Sequence, residues 1–227
     1  LGIEYLPFIQ KMIDEYRLDS SVTICSSHLP TITEKNSDFF FAWPESSRCK
    51  ESEFDNLLHE GINGFNSAES LNYPFHLVRQ LQIIKEWMAK VSNILNMGSY
   101  RRVILVSDHG ASRFPIFNFG ETIEMTNPGE KSGRICKFSD KDKKIESAIL
   151  DDGYWSLSTY DRFKGGNRQG VEVHGGATLE EVLVPVIVLS LGDESLTFDL
   201  ATPCLEFSND QGFTLIIVCK AFQNSIL

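Results

Sequence analysis

The sequence predicts an α/β fold with a mostly parallel central sheet flanked by helices, and three stretches carry that prediction. Val103–Val106 and Val184–Leu191 are runs almost without polar side chains, as expected of strands covered on both faces. Over Tyr73–Met97, the apolar residues Leu77, Leu81, Ile84, Met88, Val91 and Leu95 recur at alternating steps of four and three. That spacing predicts an amphipathic helix about 37 Å long. Its stripe faces the sheet, and Lys85, Glu86 and Lys90 stay in water.

The remaining elements follow in chain order. Leu1–Arg17 carries Ile3, Leu6, Ile9 and Ile13 at helical spacing, with a strand expected ahead of it, outside this sequence. Ser21–Cys25 is a short β-type run, and Pro30-Thr31-Ile32-Thr33 reads as a strand-to-helix turn presenting a hydroxyl or capping the helix through Thr33. Glu51–Glu60 is helical, and Gly61–Asn72 is a polar loop. His76, at the start of the long helix, is expected to be structural. Ala111–Asp152 is mixed and polar; its Phe114, Phe117 and Phe119 either line a pocket or anchor a loop. Tyr154–Thr159 is strand-like. Thr178 and Glu181 form a capping box that opens a short helix, ended by Pro185. Residues 1–191 are expected to form one domain; residues 192–227, with strand-like Ser195–Leu200 and Phe213–Cys219, form a sheet edge or begin a β domain.

Composition narrows the function. The 227 residues carry a formal charge of −10 with no long basic run, so a phosphate substrate needs local positive charge from metal ions or a few Lys and Arg. Cys25, Cys49, Cys136, Cys204 and Cys219 are odd in number, scattered and without a C-x-x-C pair, which suits reduced thiols in a cytoplasmic protein. No apolar run approaches the roughly 20 residues a bilayer requires, and no signal peptide is visible, so no membrane partner is expected. The chain opens on Leu1 and stops straight after a strand-like run, which reads as a piece of something longer.

Four stretches carry chemistry. Asp108-His109-Gly110 follows the apolar strand directly, so two metal-type ligands stand at a strand end, where open α/β sheets keep their sites. Gly110 permits the turn that lets both reach one ion. Asp55 and His59 lie one helical turn apart on one face, able to share a cation. His174 precedes a Gly-Gly loop and the capped helix. Arg162 and Lys164 flank the glycines Gly165-Gly166, either a hairpin tip or a phosphate cradle.

Taken in order, Pro-Thr-Ile-Thr, Asp-x-x-x-His, strand-Asp-His-Gly, and His174-Gly175-Gly176 ahead of the Val184–Leu191 strand resemble the alkaline phosphatase superfamily. More narrowly, the chain is similar to the PglZ domain of phage-defence (BREX) systems. The resemblance implies a three-layer sandwich over about Leu1–Leu191 and a phosphohydrolase, chiefly a phosphodiesterase acting on nucleotides or nucleic acid. It implies Thr33 as nucleophile, with Thr31 as the alternative, and two divalent ions, Zn²⁺ first with Mn²⁺ or Mg²⁺ as alternatives. Asp55, His59 and His174 would hold one ion, and Asp108 with His109 the other. The family's second ion also takes an Asp from a first strand, which would lie ahead of Leu1. Such ions, roughly 4 Å apart, hold the attacking and leaving oxygens of an in-line displacement, and Arg162 and Lys164 would contact substrate. Other defence-system proteins are the implied partners, and a phosphatase-like scaffold without catalysis is the alternative function.

Overall fold

The computed structural model describes residues 1–60, 73–117, 122–166 and 171–192, together with the backbone of 197–200 and 217–220. The expected loop at Gly61–Asn72 and Phe119 lie outside the described residues. Leu1–Leu191 and Gly192–Leu227 form two compact units.

In the first unit, a 3-10 turn (Ile3–Tyr5) leads into α1 (Leu6–Glu15), whose early Pro7 costs no helical hydrogen bond and whose Ile9, Met12 and Ile13 point inward. Then come β1 (Leu18–Ser26), the short helices α2 (Thr33–Asn36) and α3 (Asp38–Phe41), α4 (Glu53–Glu60) and α5 (Tyr73–Asn96). The α5 helix stops at Gly98, whose φ of 67° is open to glycine and whose N–H bonds the Leu95 carbonyl. They are followed by β2 (Val103–Leu105), α6 (Phe114–Phe117), β3 (Thr122–Ile123), β4 (Gly129–Glu130), β5 (Ile135–Lys137), β6 (Ala148–Asp151), β7 (Tyr154–Leu157), β8 (Arg162–Phe163), α7 (Leu179–Val182) and β9 (Leu183–Leu191). In the second unit, β10 (Thr197–Leu200) pairs antiparallel with β11 (Ile217–Lys220).

The periodicity of α5 is realised: Ile83, Ile84, Met88 and Leu95 are at most 1% exposed and pack with α1, α4 and one face of the sheet. Each such side chain contributes about 1.5–3 kcal/mol by leaving water. Among the described residues, no helix is long and apolar enough to cross a membrane.

The fold is mixed α/β, but its sheets differ from the expectation. The sheet that carries the chemistry has the order β1-β9-β2, with β9 antiparallel to both neighbours, so the expected mostly parallel central sheet is corrected. Val103–Leu105 is an edge strand: Ile104 is 37% exposed, whereas Val103 and Leu105 pack toward α1 and α5. The reason is one-sided cover. Among the described residues the helices pack on the face of Ile187 and Leu189, while Val186 and Val188 remain half-buried on the other, so a third layer is not formed there. Part of the mixed, polar stretch Ala111–Asp152 joins the strand expected at Tyr154–Thr159 in a four-stranded antiparallel sheet, β4-β5-β7-β6, with β3 and β8 paired beside it.

Strand directions place the candidate residues. With β9 reversed between β1 and β2, the exits of β1 and β2 and the entrance of β9 share one end of the sheet. Thr31 and Thr33 follow β1, Asp108 and His109 follow β2, and His174 precedes β9, so chain direction alone draws them together.

Candidate functional site

The turn after β1 is shaped by Asn36, whose buried amide donates to the carbonyls of His28, Pro30 and Ile32 and accepts from the His28 N–H. It leaves Thr33 exposed as the first residue of α2, beyond the Ile32 cap position; the hydroxyl does not cap the helix but lies 3.3 Å from His109 Nε2.

Thr31, the alternative nucleophile, sits differently. It is fully buried; its hydroxyl donates to the Gly176 carbonyl at 2.8 Å and accepts from the Gly175 N–H at 2.9 Å. Its carbonyl meets His174 Nδ1 at 3.0 Å. Thr31 is therefore a latch between the two loops. Thr31→Val, which keeps the shape and removes the hydroxyl, is expected to lower stability by about 1–3 kcal/mol, because two buried main-chain groups lose their partner; urea unfolding checks this.

His109 and His174 form the wall of the site, 6% and 8% exposed, with rings stacked at 4.1 Å and 21°. His109 Nδ1 lies 2.9 Å from the Gly110 carbonyl. A carbonyl only accepts, so both rings carry their proton on Nδ1, and the Nε2 lone pair of His109 faces Thr33 and Asp108. Burial lowers both pKa values; His174, which also feels the charge of His109, falls to about 3. Two neutral rings can stack where two imidazolium ions would repel.

The acids stand opposite. Asp108 Oδ2 is 3.4 Å from His109 Nε2, and its Oδ1 accepts the His109 N–H at 3.0 Å. Burial opposes its charge, but His109 and the Thr33 hydroxyl outweigh that and keep its pKa below the usual carboxylate value. Asp55 and His59, at the exposed rim on α4, approach to 3.5 Å, and the His59 ring stands 5.2 Å from that of His174. The hydrogen bond from His59 lowers the pKa of Asp55.

Thr33, Asp55, His59, Asp108, His109 and His174, drawn from four separate stretches, thus form one chain of neighbouring side chains. Neutral imidazoles with outward lone pairs beside ionised carboxylates are the donor chemistry a divalent ion requires. As they stand, among the described residues no three His, Cys, Asp or Glu side chains are arranged to hold one ion.

Two glycines close the architecture by permitting close approach. A Cβ on Gly110 would lie 1.9 Å from the Glu180 carbonyl oxygen, and one on Gly176 would lie 2.4 Å from Arg134 Nη2. Neither has a positive φ, so Gly110 serves the site by lacking a side chain rather than by an unusual turn.

Arg162 and Lys164 are both partnered within the chain. Arg162 is 6% exposed; its Nε donates to the Ser132 carbonyl at 2.6 Å and its Nη2 to that of Gly166 at 3.2 Å. Lys164 pairs with Glu124 on the surface. Charge beside glycines here braces a turn.

Sequence reasoning missed three contributors. Ser27 donates to the Asp108 carbonyl at 2.8 Å and ties the exits of β1 and β2. Arg134 and Glu181 form a wholly buried ion pair behind the Gly175-Gly176 loop. Lys131, whose Cβ lies 3.2 Å from where a Gly175 side chain would begin, carries a cation to the rim. The capping-box pattern pointed to Glu181; nothing in the sequence marked the others.

Compared with models of known protein families and with curated proteins, the chain matches none.

Proposed function

We propose that Leu1–Leu191 is a metal-dependent phosphohydrolase of the PglZ type, in the alkaline phosphatase superfamily, with that superfamily's sandwich as its parent architecture. Its substrates are phosphodiesters of nucleotides or nucleic acid, and its setting is a cytoplasmic phage-defence complex with other defence proteins as partners. The observation that carries this reading is the convergence of an exposed Thr33 hydroxyl with two neutral histidines and two ionised aspartates.

Asp55, His59 and His174 would hold one divalent ion, and Asp108 with His109 a second. When bound, such ions supply Lewis-acid stabilisation of the phosphoryl oxygens and lower the pKa of a coordinated hydroxyl. The chain's own groups do the rest. Thr33 O–H lies 3.3 Å from His109 Nε2 and beside the Asp108 carboxylate; with the His109 lone pair given to an ion, the carboxylate is the group placed to take the hydroxyl proton. The Nδ1–H bonds to Gly110 and Thr31 fix both rings in that tautomer. Attack forms the Thr33 O–P bond as the hydroxyl proton passes to Asp108, the P–O bond to one alcohol of the diester breaks and that alcohol leaves with the electron pair and takes up the proton, and water then cleaves the Thr33 O–P bond to release the phosphomonoester.

The test uses the full chain loaded with zinc and an activated phosphodiester. Thr33→Ala is expected to abolish turnover while zinc content is retained; undiminished turnover refutes the nucleophile. A second reading, a phosphatase-like scaffold that docks protein partners, is favoured by the donors not closing on one ion as they stand and by the −10 charge. Stoichiometric metal with turnover eliminates the scaffold reading, and protein that takes up neither zinc, manganese nor magnesium eliminates the hydrolase.

A further inference from the structure

Lys131 stands in an unusual place. It and Ser132 have φ of 45° and 57°, a left-handed pair of non-glycine residues that the surrounding structure must hold in place. The turn is held from behind: Arg162 Nε grips the Ser132 carbonyl, and Gly166 packs so closely that a Cβ there would lie 2.2 Å from the Gly133 nitrogen. The effect is to start the Lys131 side chain over Gly175, next to His174, and to aim it across the rim toward α2, where Nζ lies 3.7 Å from Glu34 Oε1. Glu34 is the residue after Thr33, so the ammonium spans the gap between the His174 loop and the candidate nucleophile.

Both partners remain in water: the Lys131 side chain is 38% exposed and that of Glu34 66%. An exposed pair of this kind contributes little stability and separates readily. Among the described residues, Lys131 is a cation held by only this exposed contact between the loop of His174 and the residue after Thr33.

We propose that Lys131 is the oxyanion-binding residue of this site, recognising a non-bridging phosphoryl oxygen of the substrate, and that Glu34 restrains it until the anion displaces that contact. This rests on the phosphohydrolase reading for its reaction, but the anion site is testable by itself. Glu34 competes with phosphate for one ammonium, so its removal strengthens anion binding, whereas in a plain surface bracket it would leave anion binding unchanged.

The experiment titrates inorganic phosphate by calorimetry into the zinc-loaded full chain and, in parallel, measures KM and kcat with an activated phosphodiester. The variants are K131N, whose Asn accepts a left-handed backbone, K131R and E34Q. Expected are a loss of phosphate affinity of about tenfold or more in K131N, accompanied by a larger change in KM than in kcat. Recovery in K131R and tighter phosphate binding in E34Q complete the pattern. Phosphate affinity in K131N or E34Q equal to wild type overturns the proposal, even if wild type turns over substrate. Conversely, Lys131-dependent phosphate binding without turnover sinks the hydrolase reading and leaves the anion site standing. Absence of phosphate binding in wild type overturns the anion site outright.

Discussion

Arg134→Met is expected to cost about 3–5 kcal/mol of folding stability, the penalty for stripping one partner from a buried ion pair. Arg134 and Glu181 are both fully buried; Nε and Nη2 meet the two carboxylate oxygens at 3.1 and 2.9 Å. Two of the three remaining guanidinium protons go to the carbonyls of Asp161 at 2.5 Å and Leu157 at 3.0 Å. Glu181 in turn accepts from the Gly176 N–H at 2.9 Å and from the Thr178 N–H and hydroxyl at 3.2 and 2.7 Å. Without Arg134, that carboxylate is left charged in a dry interior. The variant should unfold at lower urea with an unchanged slope. The double variant Arg134→Met with Glu181→Gln should recover part of the loss, because it removes the uncompensated charge rather than exposing it. A single variant as stable as wild type would mean the pair is idle.

His174→Ala is expected to lower zinc affinity by more than the roughly 10–100-fold that losing even a partner of a ligand costs. The ring has two attachments, Nδ1 to the Thr31 carbonyl and its face to His109, so its removal deletes one donor and frees another to tilt. Turnover should fall in step when zinc is limiting. A competitive zinc titration against a chelator, with circular dichroism as the check on folding, measures the effect. Unchanged zinc affinity would place the metal elsewhere.

Much of this was legible in the residues because it is written locally. The stripe of α5, with Ile84, Met88, Val91 and Leu95 inward, follows from helical geometry alone, and the Thr178–Glu181 capping box needs only four residues. The positions of the chemically capable side chains were also readable, since acids and imidazoles near strand ends and glycines are conspicuous at any distance.

What failed were inferences that depend on partners far along the chain. An apolar run does not state its direction, so Val184–Leu191 read as parallel although it runs against both neighbours. A cation does not state where its side chain ends. Arg162 and Lys164 looked available and are engaged, while Lys131, unmarked in the sequence, is carried to the rim by a left-handed turn that Arg162 braces. Thr31 and Thr33, two residues apart in similar company, have opposite fates because one hydroxyl is enclosed by Gly175 and Gly176 and the other faces His109.

By itself, the sequence determined the long helix, the capped turn and the acids and imidazoles proposed as cation ligands. Only the tertiary structure decided which of them meet. The reversal of β9 puts its entrance beside the exits of β1 and β2, and that choice of direction is made by packing of whole strands against α1 and α5 rather than by any residue's own preference.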